Sequence, residues 1–280
     1  MENFDKTKVR ESLIYRAYRQ IREYVDIKFE AMRWSEHDQK MAGFYRQFIK
    51  PGMMCFDVGA NVGNRVKVFL RLGGLVTAVE PQDSCARVLK TAYGSNSRFF
   101  LAQKALGPAE GHAELIKGSS HALSSLSQDW IRKVQTSQRF GQRTWSQKES
   151  VEVTTLDLLI AQYGRPGFIK IDVEGYEFEV IKGLSQPVAG VSIEFIPEFI
   201  DPVVNSIKHL TAFGPIVLNY SLGESMKFEL QKWVGPEDMI SILSSLPDDS
   251  VLFGDVYIRS VSDLSEKSGV SRADNKKADF

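Results

Sequence analysis

Residues 53–80, "MMCFDVGANVGNRVKVFLRLGGLVTAVE", hold a complete strand, turn, helix and strand. An apolar run over 53–60 enters a turn containing Gly59 and Gly63. Helical spacing follows over 64–73, and a second apolar run over 75–80 ends on Glu80. A glycine just past a strand puts no Cβ between the backbone and a ligand, and the helix N-terminus behind it offers free N–H groups. The same order continues along the chain. A helix is expected over 82–94, a strand over 98–106, a helix over 154–164, a strand over 168–174, a helix over 176–184, a strand over 191–196 and a helix over 202–214. Strands over 215–222 and 251–260, with a short helix over 236–246 between them, close the series. Such alternation predicts an α/β fold with a mostly parallel sheet, helices on both faces and ligands at the carboxyl ends of the strands. The late strand pair allows one antiparallel strand at the edge.

The first turn narrows the ligand. A dinucleotide site of the form G-x-G-x-x-G rests a pyrophosphate on the helix N-terminus. Here the run is G-A-N-V-G, with Asn61 in place of the middle glycine, and Asp57 at the strand end would repel a pyrophosphate and attract an ammonium group. Glu80, about 20 residues beyond the first glycine, is placed to accept hydrogen bonds from two ribose hydroxyls. A ribose, a positive group and no phosphate describe S-adenosylmethionine.

Residues 168–184, "FIKIDVEGYEFEVIKGL", deliver Asp172 and Glu174 to the same carboxyl edge, with Gly175 permitting a tight turn before the helix. Two apart in an extended strand, the carboxylates face one side, where they suit a general base, a hydroxyl anchor or a divalent ion. Glu174 is also placed to cap the helix. Glu194, ending the next strand, would add a third carboxylate at that rim. His121 is the one histidine of four placed to reach the site, whereas His37, His112 and His209 read as ordinary surface or element-end residues. No Cys/His metal spacing, nucleophile turn or phosphate loop occurs in the sequence.

Composition limits the remaining choices. The chain has 280 residues with 43% hydrophobic content, enough for one catalytic-sized domain, and 35 Lys+Arg balance 35 Asp+Glu, so no nucleic-acid partner is expected. Two cysteines inside a strand and a helix suit a reducing compartment, and no stretch approaches a membrane span or a signal peptide, so the cytoplasm is the default. Residues 1–50 read as an amphipathic helical extension, 51–260 as the main domain and 261–280 as a frayed tail. Within the domain, 118–150 is a Ser/Gln-rich insertion carrying Arg132, Lys133, Arg139, Arg143 and Lys148 with Trp130, Phe140 and Trp145, read as a candidate lid or a solvated loop.

"FDVGANVGN" (56–64), "AVEP" (78–81), "KALG" (104–107) and above all "VTTLDLLI" (153–160) with "FIKIDVEGYEFEVIKGL" resemble the FkbM family of S-adenosylmethionine-dependent methyltransferases. The resemblance spans roughly residues 51 to 200. It implies a Rossmann-like class I methyltransferase fold, a seven-stranded sheet whose last strand is antiparallel, and O-methylation of a hydroxyl on a sugar, glycan or natural-product acceptor. Residue by residue it implies that Asp57, Gly59, Asn61 and Gly63 form the cofactor loop, that Glu80 binds the ribose, and that the strand at Gln103 to Ala105 passes the adenine. Asp172 and Glu174 match the motif near the reacting centre. Asn64 and Arg65 depart from the aromatic or small polar residues common after the last glycine.

Asp172 is then the first candidate base and His121 the second; a divalent ion, if bound, would take Asp172, Glu174 and Glu194. A nicotinamide-dependent oxidoreductase and a non-catalytic binding module on the same fold are the competing readings. The sequence leaves the oligomeric state and the acceptor open.

Overall fold

A computed structural model describes residues 33–261 together with residues 22, 25, 26, 28 and 29. Most of the expected N-terminal helical stretch, and the tail beyond residue 261, lie outside the described residues. The described part of the extension holds helix α1 (Glu36–Tyr45). It starts on a capping box: Ser35 Oγ accepts from the Asp38 N–H at 3.1 Å, and Asp38 accepts from the Ser35 N–H at 2.8 Å. Asp38 also pairs with Lys67 at 2.7 Å, tying α1 to the helix beneath it.

The alternation then follows the expected order: β1 (Met54–Val58), α2 (Asn64–Arg71), β2 (Leu75–Val79), α3 (Asp83–Tyr93) and β3 (Phe99–Ala102). The expected strand over 98–106 is broken at Gln103–Lys104, and its end, β4 (Ala105–Leu106), leaves the main sheet for a second one. That second sheet has the order β4-β6-β5, where β5 (Gly111–Gly118) and β6 (Trp145–Thr154) form an antiparallel ribbon joined through α4 (Gln128–Thr136). The chain returns to the core through α5 (Leu156–Tyr163), β7 (Phe168–Ile171), α6 (Glu177–Lys182), β8 (Gly190–Phe195), α7 (Asp201–Thr211), β9 (Ile216–Leu222), α8 (Pro236–Ser244) and β10 (Gly254–Ser260).

The main sheet has seven strands in the order β3-β2-β1-β7-β8-β10-β9. Pairs from β3 to β8 are parallel, and β10 runs antiparallel to both β8 and β9. The antiparallel strand is thus the last in sequence but not at the edge, where β9 lies instead. Strand alternation sends Phe56, Val58, Ile169 and Ile171 to one face under α5 to α8, and Cys55 and Phe168 to the other under α1 to α3. Each such buried Phe, Leu or Ile is worth about 1.5–3 kcal/mol relative to exposure. Cys55 and Cys85 are both buried and unpaired.

The 118–150 insertion is not a solvated loop. Trp130, Ile131 and Val134 of α4 form a cluster with Leu123 and Ile196, flanked by Phe140 and Trp145. Three of its five basic residues are paired: Arg139 is buried against Glu198 and Lys148 pairs with Glu114, both outside the insertion, and Arg132 pairs with Asp129 within it. A basic, aromatic surface therefore does not form, because the aromatic rings are spent on packing. No helix among the described residues is long and apolar enough to cross a membrane.

A candidate ligand site at the carboxyl edge of the sheet

The turn after β1 is held by its neighbours before any ligand is considered. Gly59 and Ala60 donate their N–H groups to Val79 O at 2.9 and 3.1 Å. Gly59 has φ +82°, and a Cβ there would lie 1.8 Å from the Asp172 carbonyl oxygen. Glycine is required at that point by the close passage of the chain after β7, whatever ligand approaches the turn. Gly63 is likewise filled in by Tyr93 and Leu89, whose side chains would meet a Cβ at 2.7 and 2.8 Å.

Glu80, at the end of β2, accepts from the Asn61 N–H at 2.8 Å through one oxygen and from the Gln82 N–H at 2.8 Å through the other. Both oxygens keep a further lone pair, and burial raises the carboxyl's pKa while the two N–H groups oppose that rise. Asp57 is 2% exposed, and its Oδ2 has no hydrogen-bond partner. Burial pushes its pKa up to about 7, against the nearby charges of Arg65 and Lys170. A buried acceptor without a donor costs free energy that a cationic ligand would recover.

These residues line one cavity of about 340 Å³, which also receives Asp172, Glu174, Glu194 and Tyr176. Of the expected site residues, Asp57, Gly59, Asn61, Glu80, Ala105, His121, Asp172, Glu174 and Glu194 all line it. Gly63 and Gln103 are not among its lining residues: Gly63 precedes α2, and Gln103 points its amide to Asp83 at 3.4 Å in an exposed position. Lys104, paired with Glu152 at 3.1 Å, lines the cavity in its place. His121 comes in on a short 3₁₀ turn whose backbone oxygen accepts from Gln82 Nε2 at 2.9 Å, so the start of the insertion forms a wall of the cavity.

Asp172 and Glu174 meet by a different route from the expected one. The strand ends at Ile171, and the chain turns sharply with Glu174 at φ +54° and Gly175 at φ +88°. Ser125 Oγ donates to Glu174 O at 2.6 Å. Glu177 Oε1 accepts from the Gly175 N–H at 3.0 Å and the Val173 N–H at 3.3 Å. Glu177 therefore secures the turn into α6, and Glu174, which spacing had offered as the cap, is left for the cavity. Asp172, Glu174 and Glu194 each bring a carboxylate oxygen within 4.8 Å of the others.

Two cations to which the sequence assigned no role complete the site. Lys170, 1% exposed inside β7, places Nζ 3.2 Å from Asp172 Oδ2 and 2.8 Å from Asp255 Oδ1. A lone charge within the apolar run "FIKI", two residues before Asp172, was the available signal. Arg65 lines the cavity and donates to Glu224 at 2.7 Å, and its Nε is buried without a partner. Burial alone would raise the pKa of Asp172, but the Lys170 ammonium, a hydrogen bond from Glu194 and the charge of Arg65 together outweigh it and hold the carboxyl below its usual range. Glu174 and Glu194 go the other way: burial, then the negative charge of Asp172, raises both well above the usual carboxyl range. The rim thus sets a carboxylate that its neighbours favour ionised beside two acids whose surroundings favour the protonated form.

A family model described as the Methyltransferase FkbM domain matches residues 57–244. Among solved structures, the chain is similar to an O-methyltransferase from Bacillus cereus in complex with SAH, at 10% identity, covering 85% of this chain and 89% of that one with a TM-score of 0.42. It is similar to a putative O-methyltransferase from Klebsiella pneumoniae at 9% identity, covering 85% and 88% with a TM-score of 0.41. A putative rRNA-methylase from Clostridium thermocellum matches at 8% identity, covering 79% and 94%, also with a TM-score of 0.41. No curated protein matches the sequence.

Proposed function

The chain belongs to the FkbM methyltransferase domain family and depends on S-adenosylmethionine; from that premise we propose that it methylates a hydroxyl of a small-molecule or glycan acceptor, with Asp172 receiving the proton. The cofactor supplies an electrophilic methyl group on a positively charged sulfur. The cavity suits it on two counts: Asp57 offers a buried, unpaired acceptor for the ammonium end, and Glu80 keeps lone pairs for the ribose hydroxyls. Gly59, Asn61 and Gly63 shape the loop, and Ala105 stands where the adenine would pass.

The observation that carries the O-methylation reading is the state of Asp172. Its side chain is 32% exposed, it opens on the same cavity as Asp57 and Glu80, and an ammonium holds it ionised. Alignment of two reactants there can supply about 7–11 kcal/mol of the barrier, and a placed base a further 10²- to 10⁴-fold or so. Glu174 and Glu194, whose burial favours the protonated form, can donate hydrogen bonds to the acceptor's remaining oxygens. His121 is the second candidate for the base, and residues 121–126 are the part of the insertion that lines the cavity and would carry a lid role.

The test is transfer of labelled methyl from S-adenosylmethionine to fractionated cell extract, by wild type and by Asp172→Asn. Loss of transfer by about 100-fold or more, with S-adenosylhomocysteine affinity within a few-fold of wild type, supports the reading. Undiminished transfer by Asp172→Asn removes Asp172 from the role. Persistence of the chain's biological activity in that variant without any methyl transfer would favour a binding module.

A further inference from the structure

Lys170 is the one fully buried lysine among the described residues, and its surroundings are unusually specific. From β7 its ammonium reaches Asp172 at the cavity and Asp255 on β10, and Asp255 is itself held by Ser192 Oγ at 3.3 Å and Tyr257 OH at 3.4 Å. The register puts the network in one line across three strands: Lys170 is opposite Ser192, and Ser192 is opposite Tyr257. The lysine is 1% exposed while Asp172 is 32% exposed. Its ammonium therefore touches the ligand-facing carboxylate from the protein side and cannot itself reach a ligand. Asp255 is absent from the cavity lining, so its charge faces Lys170 from the side away from the ligand.

Resting on the reading of Asp172 as proton acceptor, we propose that Lys170 is the resident cation of the acceptor site. It is a positioning residue whose charge holds Asp172 ionised and takes the place a divalent ion would need beside that carboxylate. The three carboxyl groups, with oxygens within 4.8 Å of one another, have the spacing of a divalent site. One of them is already bonded to a cation that is covalently attached and shut off from solvent. A divalent ion would have to share Asp172 with that ammonium at close range, and the two positive charges repel. The acceptor hydroxyl is then held by hydrogen bonds to the carboxyl groups of Asp172, Glu174 and Glu194 and not by coordination to a metal.

The test uses Mn²⁺ as a paramagnetic probe, read by electron paramagnetic resonance of the free ion. Calorimetry with S-adenosylhomocysteine reports the fold. Wild type is expected to show no Mn²⁺ site tighter than roughly 1 mM. Lys170→Met is expected to gain one about 10-fold tighter or more, which the added change Asp172→Asn removes. Both variants should bind S-adenosylhomocysteine within about 3-fold of wild type. Methyl transfer by wild type should be unchanged by EDTA. A wild-type Mn²⁺ site that Asp172→Asn abolishes overturns the proposal, as does EDTA inhibition reversed by Mg²⁺; both arms stand even where Lys170→Met fails to fold. A folded Lys170→Met that gains no site also overturns it. Failure of the methyltransferase reading would look different, as wild type that binds no S-adenosylhomocysteine.

Discussion

Asp57 carries the most testable chemistry at the residue scale. Its carboxyl sits at about 7 in the ligand-free protein because burial penalises the charge. An ammonium beside it would favour ionisation, so binding below that value must release a proton. Affinity for S-adenosylhomocysteine should rise with pH to about 7 and then level off. Calorimetry in buffers of different ionisation enthalpy should register the released proton at pH 6 and none at pH 8. Asp57→Asn should weaken binding by about 10- to 100-fold, the range of a charge-assisted hydrogen bond, and abolish the proton release. The stability consequence has a definite sign. A carboxyl whose folded pKa is raised stabilises the fold fully below its unfolded value near 4 and loses that contribution as pH climbs through about 7. The Tm of the ligand-free protein should therefore fall less steeply from pH 5 to pH 8 in Asp57→Asn than in wild type. Asp57 and Glu80 were legible in the sequence because a strand end and a fixed offset along the chain place them. Lys170 and Arg65 were not, since their partners Asp255 and Glu224 lie far along the chain and meet them only in the sheet.

One turn and one ion pair decide how far each element can be altered. At Gly175, φ is +88° and a Cβ would lie 2.4 Å from Trp130 Cβ, so the turn that aims Glu174 also depends on the packing of α4. Gly175→Ala should cost about 1–3 kcal/mol from backbone strain alone, measured by urea denaturation. It should also weaken methyl transfer more than S-adenosylhomocysteine binding, because the strained turn aims Glu174 and not Asp57 or Glu80. Arg139 and Glu198, with side chains 4% and 1% exposed, join the insertion to the turn after β8, and Arg139 also donates to Leu252 O at 2.8 Å. Breaking a buried pair from one side leaves a stranded charge. Arg139→Met is expected to destabilise the protein by about 3–5 kcal/mol in the same assay. Arg132→Met, whose partner is as exposed as itself, should leave stability unchanged. The insertion looked like a loop because α4 is short and its three-residue apolar stripe, Trp130, Ile131 and Val134, is outnumbered by Ser and Gln. Its partners, Leu123 and Ile196, come from either side of it in sequence.

Across the whole molecule, a seven-stranded sheet and a three-stranded one share the cavity: the first supplies the charged floor and the second, with residues 121–126, a side wall. If that wall closes on the ligand, S-adenosylhomocysteine should slow amide hydrogen exchange at 121–126 as well as at 59–63 and 80–82. Protection confined to the two strand-end segments would leave the wall without a lid role. The alternating order of the main sheet, its parallel pairing and the carboxyl-edge location of the site were determined by the sequence, because hydrophobic period and glycine turns act over a few residues. So was the ionic character of that edge, through Asp57, Glu80, Asp172 and Glu194 at successive strand ends. Tertiary structure alone decided where the antiparallel strand enters, which carboxyl stays charged and why Gly59 has no side chain. Each of these depends on contacts between segments distant along the chain: β10 between β8 and β9, Lys170 between Asp172 and Asp255, and the Asp172 carbonyl against Gly59. Local pattern carries no term for such contacts, and burial sets their strength only after the sheet has formed.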